Sequence, residues 1–125
     1  MFKMPDVNFI DHGGEKILLI DFSNTKNNRS IVETGEKAIQ LVRSTNQQRS
    51  IRGLLDLSGT PLNKVVRETM RKMSKNNGPY MKSVAFVGLG IVLSLLFKVL
   101  LFMSGKSNHR VFSTRYEAFN WLIKN

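Results

Sequence analysis

Lys64, Arg67, Arg71 and Lys75 recur at intervals of three, four and four residues. On a helix this spacing gathers the cations into one stripe, with Lys72 beside it, suited to phosphates, anionic head groups or an acidic protein face. Glu68, one turn after Lys64, also fits ordinary pairing on a solvated helix surface. Nucleic-acid readers commonly interleave aromatic side chains with their cations, and this stripe has none. Nucleic acid is therefore the alternative partner, behind a protein, an apolar ligand or lipid, or an anionic membrane. The whole chain carries 19 Lys and Arg against 9 Asp and Glu, a formal charge of +10. Such a charge predicts attraction to anionic partners and says nothing about fold.

Other residue types offer less chemistry. His12 and His109 stand in separate loops with no second ligand at metal-binding spacing, so no metal or other cofactor is expected. The chain has no cysteine, which excludes thiol nucleophiles, thiolate zinc sites, iron–sulfur clusters and disulfides. Ser58-Gly59 lacks the flanks of a nucleophile elbow. Gly88-Leu89-Gly90 follows a strand and opens a helix as a phosphate-binding turn would, but a third glycine and a Lys-Ser or Lys-Thr pair are missing. Glu33 and Glu36 fall in the first turns of a helix, where the helix dipole accounts for them. No catalytic residue is assigned, and the chain is expected to work by binding.

The elements that hold these residues follow from periodicity and turn chemistry. Val7 to Ile10 and Lys16 to Phe22 flank His12-Gly13-Gly14, a tight β-hairpin connection. Ser30 and Glu33 have capping-box spacing, which predicts a helix from about Ile31 to Arg43 with Ile31, Gly35, Ala38, Ile39 and Val42 on one face. Ile51 to Leu57 reads as a strand, and Thr60-Pro61 as the N-cap and first residue of the basic helix, which runs to about Lys75. Ser83 to Val87 suits a buried parallel strand, followed by a helix from about Leu89 to Met103 and a loop over 104–108. Arg110 to Phe112 is a last short strand, and Thr114 with Glu117 caps a last helix. The predicted fold class is α/β: an N-terminal β-hairpin, then repeated strand–helix units, in a mostly parallel sheet of four to five strands with about four helices. The 125 residues make one domain, with a short leader over 1–6 that lacks a secretory apolar run. A cytoplasmic location, with membrane association as an option, is expected.

Val84 to Met103 holds a single charge, Lys98, and matches the length of a membrane span. Gly88 and Gly90 interrupt it where a strand-to-helix turn would fall, and basic residues flank both ends. The preferred reading is a buried strand and a helix of about 22 Å, too short to span; a single-span or peripheral membrane protein is the alternative. At about 100° per residue, Ile91, Leu95, Leu101 and Phe102 lie near Lys98, so a solvent-facing Lys98 implies an apolar contact face around it. A ligand, a lipid surface, the C-terminal helix or a second copy in a homodimer would each cover such a face.

Four stretches, Gly14 to Ser23, Gly53 to Thr60, Tyr80 to Gly88 and Arg110 to Leu122, taken in that order, resemble the STAS-like (SpoIIAA-like) superfamily of the sporulation anti-sigma-factor antagonist and small bacterial relatives. The resemblance covers nearly the whole chain after residue 8. Its strongest piece is Val111-Phe112-Ser113-Thr114-Arg115-Tyr116-Glu117-Ala118-Phe119-Asn120-Trp121-Leu122, a strand, cap and helix pattern. It implies a non-enzymatic interaction module whose partner-facing site is the start of the second helix. Regulatory members carry a phosphorylated serine there within Asp-Ser-Ser-Gly. This chain reads Ser58-Gly59-Thr60-Pro61 after Leu57, so Ser58 and Thr60 are phosphorylation candidates without the motif. Some related modules bind lipids or other apolar ligands, which suits the apolar third helix.

Overall fold

The computed structural model describes residues 4–103, 105 and 108–125. β1 (Asp6–His12) pairs antiparallel with β2 (Glu15–Asp21) across Gly13 and Gly14. Both glycines have positive φ, 56° and 81°, as a two-residue connection between twisted strands requires. β3 (Ile51–Asp56), β4 (Met81–Val87) and β5 (His109–Phe112) then add in parallel, giving a five-stranded sheet in the order β1-β2-β3-β4-β5.

Every parallel crossover steps the same way along the sheet. Right-handed connections therefore place α1 (Asn28–Thr45), α2 (Lys64–Asn77) and α3 (Gly90–Met103) on one face. α4 (Arg115–Lys124) follows the last strand and covers the opposite face. The strands alternate to match: Leu18, Ile20, Ile51 and Leu55 join the core with α1 and α2, while Ile17, Leu54 and Ala85 meet Ala118 and Leu122 of α4. This is the α/β architecture that the order of elements predicts.

Two helix starts differ from expectation. α1 begins three residues early, because the Asn27 side chain accepts from the Ser30 backbone N–H at 3.1 Å and so caps it. Ser30 is thereby buried in the first turn instead of capping, and Glu33 pairs on the surface with Arg29 at 3.5 Å. α2 starts at Lys64, capped by Asn63, whose Oδ1 accepts from the Val66 N–H at 3.0 Å. Thr60 caps nothing; its hydroxyl donates to the Phe22 carbonyl and accepts from the Thr25 N–H at 3.1 Å, joining the loops after β2 and β3. At the last helix Thr114 is the N-cap as expected, its Oγ1 accepting from the Glu117 N–H at 3.2 Å, while the Glu117 carboxylate accepts from the Thr114 hydroxyl at 3.2 Å instead of closing the box on the Thr114 N–H.

Val84 to Met103 is a strand and a helix, not one continuous rod. β4 ends at Val87, and Gly88 and Gly90, with φ of 87° and 75°, turn the chain into the 14-residue α3. At 1.5 Å per residue α3 measures about 21 Å. Among the described residues no helix is long and apolar enough to cross a membrane. The expected loop at 104–108 falls largely outside the described residues, as does the side chain of Phe102.

Candidate functional site

Gly35 of α1 decides where α2 sits. A Cβ at Gly35 would lie 2.5 Å from Thr69 Cγ2, so only glycine lets the two helices approach this closely. α2 is drawn toward α1, while α3 rests against β5 at the far side of the sheet. A gap stays open between α2 and α3, and it forms an apolar cavity of about 420 Å³. Its floor is Gly53, Leu55, Val84 and Phe86; Met70 and Ser74 form one wall, and Phe97 and Leu101 the other.

Besides Ser74, two polar residues interrupt this lining. Asn77, at the end of α2, is 5% exposed, and its Oδ1 has no hydrogen-bond partner. An orphaned buried carbonyl costs on the order of 1–3 kcal/mol. Arg71 contributes the second group. It lies exposed on α2 and borders the cavity, the one residue of the basic stripe to do so.

Lys64, Arg67 and Lys75 are exposed along the same helix. Arg67 Nη1 donates to the Leu62 carbonyl at 2.8 Å. Lys72 leaves the stripe to meet Glu36 of α1 at 3.4 Å. On α3, Ile91, Leu95 and Lys98 face outward as the helical spacing predicts. Leu101 does not. Leu93, Phe97 and Leu101 follow one another at four-residue steps and form the inner ridge against the core, which takes Leu101 from the rim of the Lys98 arc into the cavity wall. Val92, Val99 and Met103 join the exposed side instead.

Ser58 and Thr60 are engaged locally, and His12 and His109, expected in loops, instead end β1 and begin β5. The Thr60 hydroxyl is held between two backbone groups. Ser58 is half-buried, its N–H donating to Asp56 Oδ1 at 2.8 Å, and a Cβ at Gly88 would stand 2.3 Å from that nitrogen. His12 stacks on Phe119 at 4.9 Å, and His109 Nδ1 lies 2.8 Å from Asn108 Oδ1. Among the described residues no three His, Cys, Asp or Glu side chains gather as metal ligands.

Sequence reasoning missed one polar cluster. Asp21 and Asp56 end β2 and β3 in direct register, and Arg115 of α4 reaches both: Nε to Asp56 Oδ2 at 2.5 Å and Nη2 to Asp21 Oδ2 at 3.3 Å. Burial acts to lower the Arg115 pKa, but the hydrogen bond and charge of Asp56, followed by those of Asp21, outweigh it and raise the pKa above the ordinary guanidinium value. The cluster is a clamp between α4 and the sheet. A signal was present in the repeated Asp21-Phe22-Ser23 and Asp56-Leu57-Ser58, since each aspartate also accepts the N–H of the serine two residues on, at 3.0 and 2.8 Å. Nothing local marked Arg115 as their common partner.

No protein-family model matches the chain, and no curated protein matches it. Among solved structures it is similar to an uncharacterised protein of the DUF3478 family with a SpoIIAA-like fold from Shewanella loihica PV-4. The two share 16% identity and superpose with a TM-score of 0.68, covering 98% of each chain. At that identity the likeness establishes architecture, and the chain has a SpoIIAA-like α/β fold.

Proposed function

We propose that this chain is a non-enzymatic binding module whose ligand is an apolar molecule bearing one polar group, held between α2 and α3. The observation that carries this reading is the largely apolar cavity of about 420 Å³ between α2 and α3, with the Arg71 cation at its border. Small-molecule sites are commonly apolar clefts of roughly 300–1,000 Å³ with a few placed polar groups. The SpoIIAA-like fold accords with a binding or regulatory role. Arg71 at the border favours a ligand whose polar end is anionic or accepts hydrogen bonds.

Titration with cis-parinaric acid, a fluorescent fatty acid, tests the reading. Saturable enhancement is expected for the parent chain, and about tenfold weaker binding for Val84→Phe, which fills the floor. Circular dichroism checks that the variant stays folded. No saturable binding by the parent, or equal binding by a folded Val84→Phe, removes the cavity from the function.

A further inference from the structure

We propose that the outer face of α3 and the basic flank of α2 together dock on an anionic lipid bilayer. α3 packs on the core through Leu93, Phe97 and Leu101, and Leu100 borders the cavity. Ile91 is 83% exposed, Val92 78%, Leu95 59% and Met103 76%, and Val99 lies among them. Large apolar side chains so exposed and so contiguous mark a contact surface. The nature of the contact follows from charge and length.

α2 and α3 lie on the same face of the sheet, so their outward sides look the same way. At about 100° per residue, Lys64, Arg67, Arg71 and Lys75 occupy the outer quarter of α2 that adjoins Met70 and Ser74, the residues bordering α3 across the cavity. Lys98 is exposed on α3 itself. An apolar ridge is thus bordered by cations, the arrangement of an interfacial helix that sinks its apolar side to the acyl boundary and keeps ammonium and guanidinium groups at the head groups. The usual polar side of such a helix is here replaced by the body of the protein.

The same observations weigh against other occupants. A second copy would bring two chains of formal charge +10 together and set Lys98-bearing faces against each other. A transmembrane orientation fails because α3 spans about 21 Å against a hydrocarbon core of about 30 Å. A flat, in-plane contact suits both the length and the charge. It does not use the cavity.

The chain has no cysteine, so Leu95→Cys and Tyr116→Cys each provide a single attachment point for an environment-sensitive dye. Leu95 is on the docking face, and Tyr116 is on α4 across the sheet. Both variants are mixed with vesicles of phosphatidylcholine alone and of phosphatidylcholine with phosphatidylglycerol. The expected result is a blue shift at position 95 only, seen only with phosphatidylglycerol, and binding by Arg67→Glu/Arg71→Glu/Lys75→Glu about tenfold or more weaker in cosedimentation. Val84→Phe should bind vesicles as the parent does, which separates this surface from the cavity ligand. Equal shifts at both positions, no dependence on phosphatidylglycerol, or a shift at position 95 that tracks self-association without vesicles would each overturn the proposal.

Discussion

Arg115 Nε donates to Asp56 Oδ2 at 2.5 Å, tying the first residue of α4 to the last residue of β3 across 59 positions of sequence. Asp56 is nearly buried and Asp21 largely so, while Arg115 is about one-third exposed. Arg115→Ala therefore leaves two poorly solvated carboxylates side by side. The expected loss is about 2–3 kcal/mol, below that of a fully buried pair because the guanidinium reaches water. Urea unfolding measures it, and Arg115→Lys should recover only part, since an ammonium lacks the two-pronged reach. The raised Arg115 pKa means the clamp is fully present below the ordinary guanidinium value and is lost only above it, so the difference between Arg115→Ala and parent should stay flat from neutral to moderately alkaline pH.

Gly88 and Gly90 share positive φ but not surroundings. At Gly88 a Cβ would meet the Ser58 nitrogen at 2.3 Å, whereas at Gly90 nothing lies within 4 Å. Gly90→Ala should cost about 1–2 kcal/mol, the backbone strain alone. Gly88→Ala should cost about 2–4 kcal/mol, because the loops after β3 and β4 must also separate. Thermal melts of equal magnitude would refute the packing of the two loops.

The contact of Gly35 with Thr69 makes a rescue possible to design. Gly35→Ala alone should destabilise by about 1–3 kcal/mol through the clash with Thr69 Cγ2. Adding Thr69→Ser deletes that methyl while keeping the hydroxyl that donates to the Val65 carbonyl at 2.8 Å. The double variant should return to parent stability or above, since alanine exceeds glycine inside a helix by about 0.5–1 kcal/mol. A double variant no better than Gly35→Ala would mean another contact separates the helices.

The two readings of where α2 starts make opposite demands on Asn63 and Pro61. Asn63→Ala should cost about 1 kcal/mol by removing the cap from the Val66 N–H. Pro61→Ala, exposed and outside the helix, should change stability by less than about 0.5 kcal/mol. Chemical denaturation of the two variants side by side decides the boundary.

Much of the fold is legible without coordinates. The Gly13-Gly14 hairpin, the alternation of strand and helix, the break at Gly88 to Gly90 and the Thr114 cap all depend on residues within a few positions of one another. The helix starts near Asn27 and Asn63 were misread because Ser30 and Thr60 offer equally good local chemistry. There the choice falls to packing, which buries Ser30 and pulls the Thr60 hydroxyl onto the Phe22 carbonyl.

The candidate site divides in the same way. Composition and spacing alone determined the alternating architecture, the basic stripe of α2 and the apolar character of α3, because charge and amphipathic period are properties of consecutive residues. Only the tertiary structure decided that Leu101 turns inward, that Asn77 Oδ1 is left without a partner, and that Arg115 closes on Asp21 and Asp56. These depend on how far apart α2 and α3 are held and on which strand ends meet α4. Such distances are set by side chains many positions removed, as Gly35 sets the place of α2, and no local window contains them.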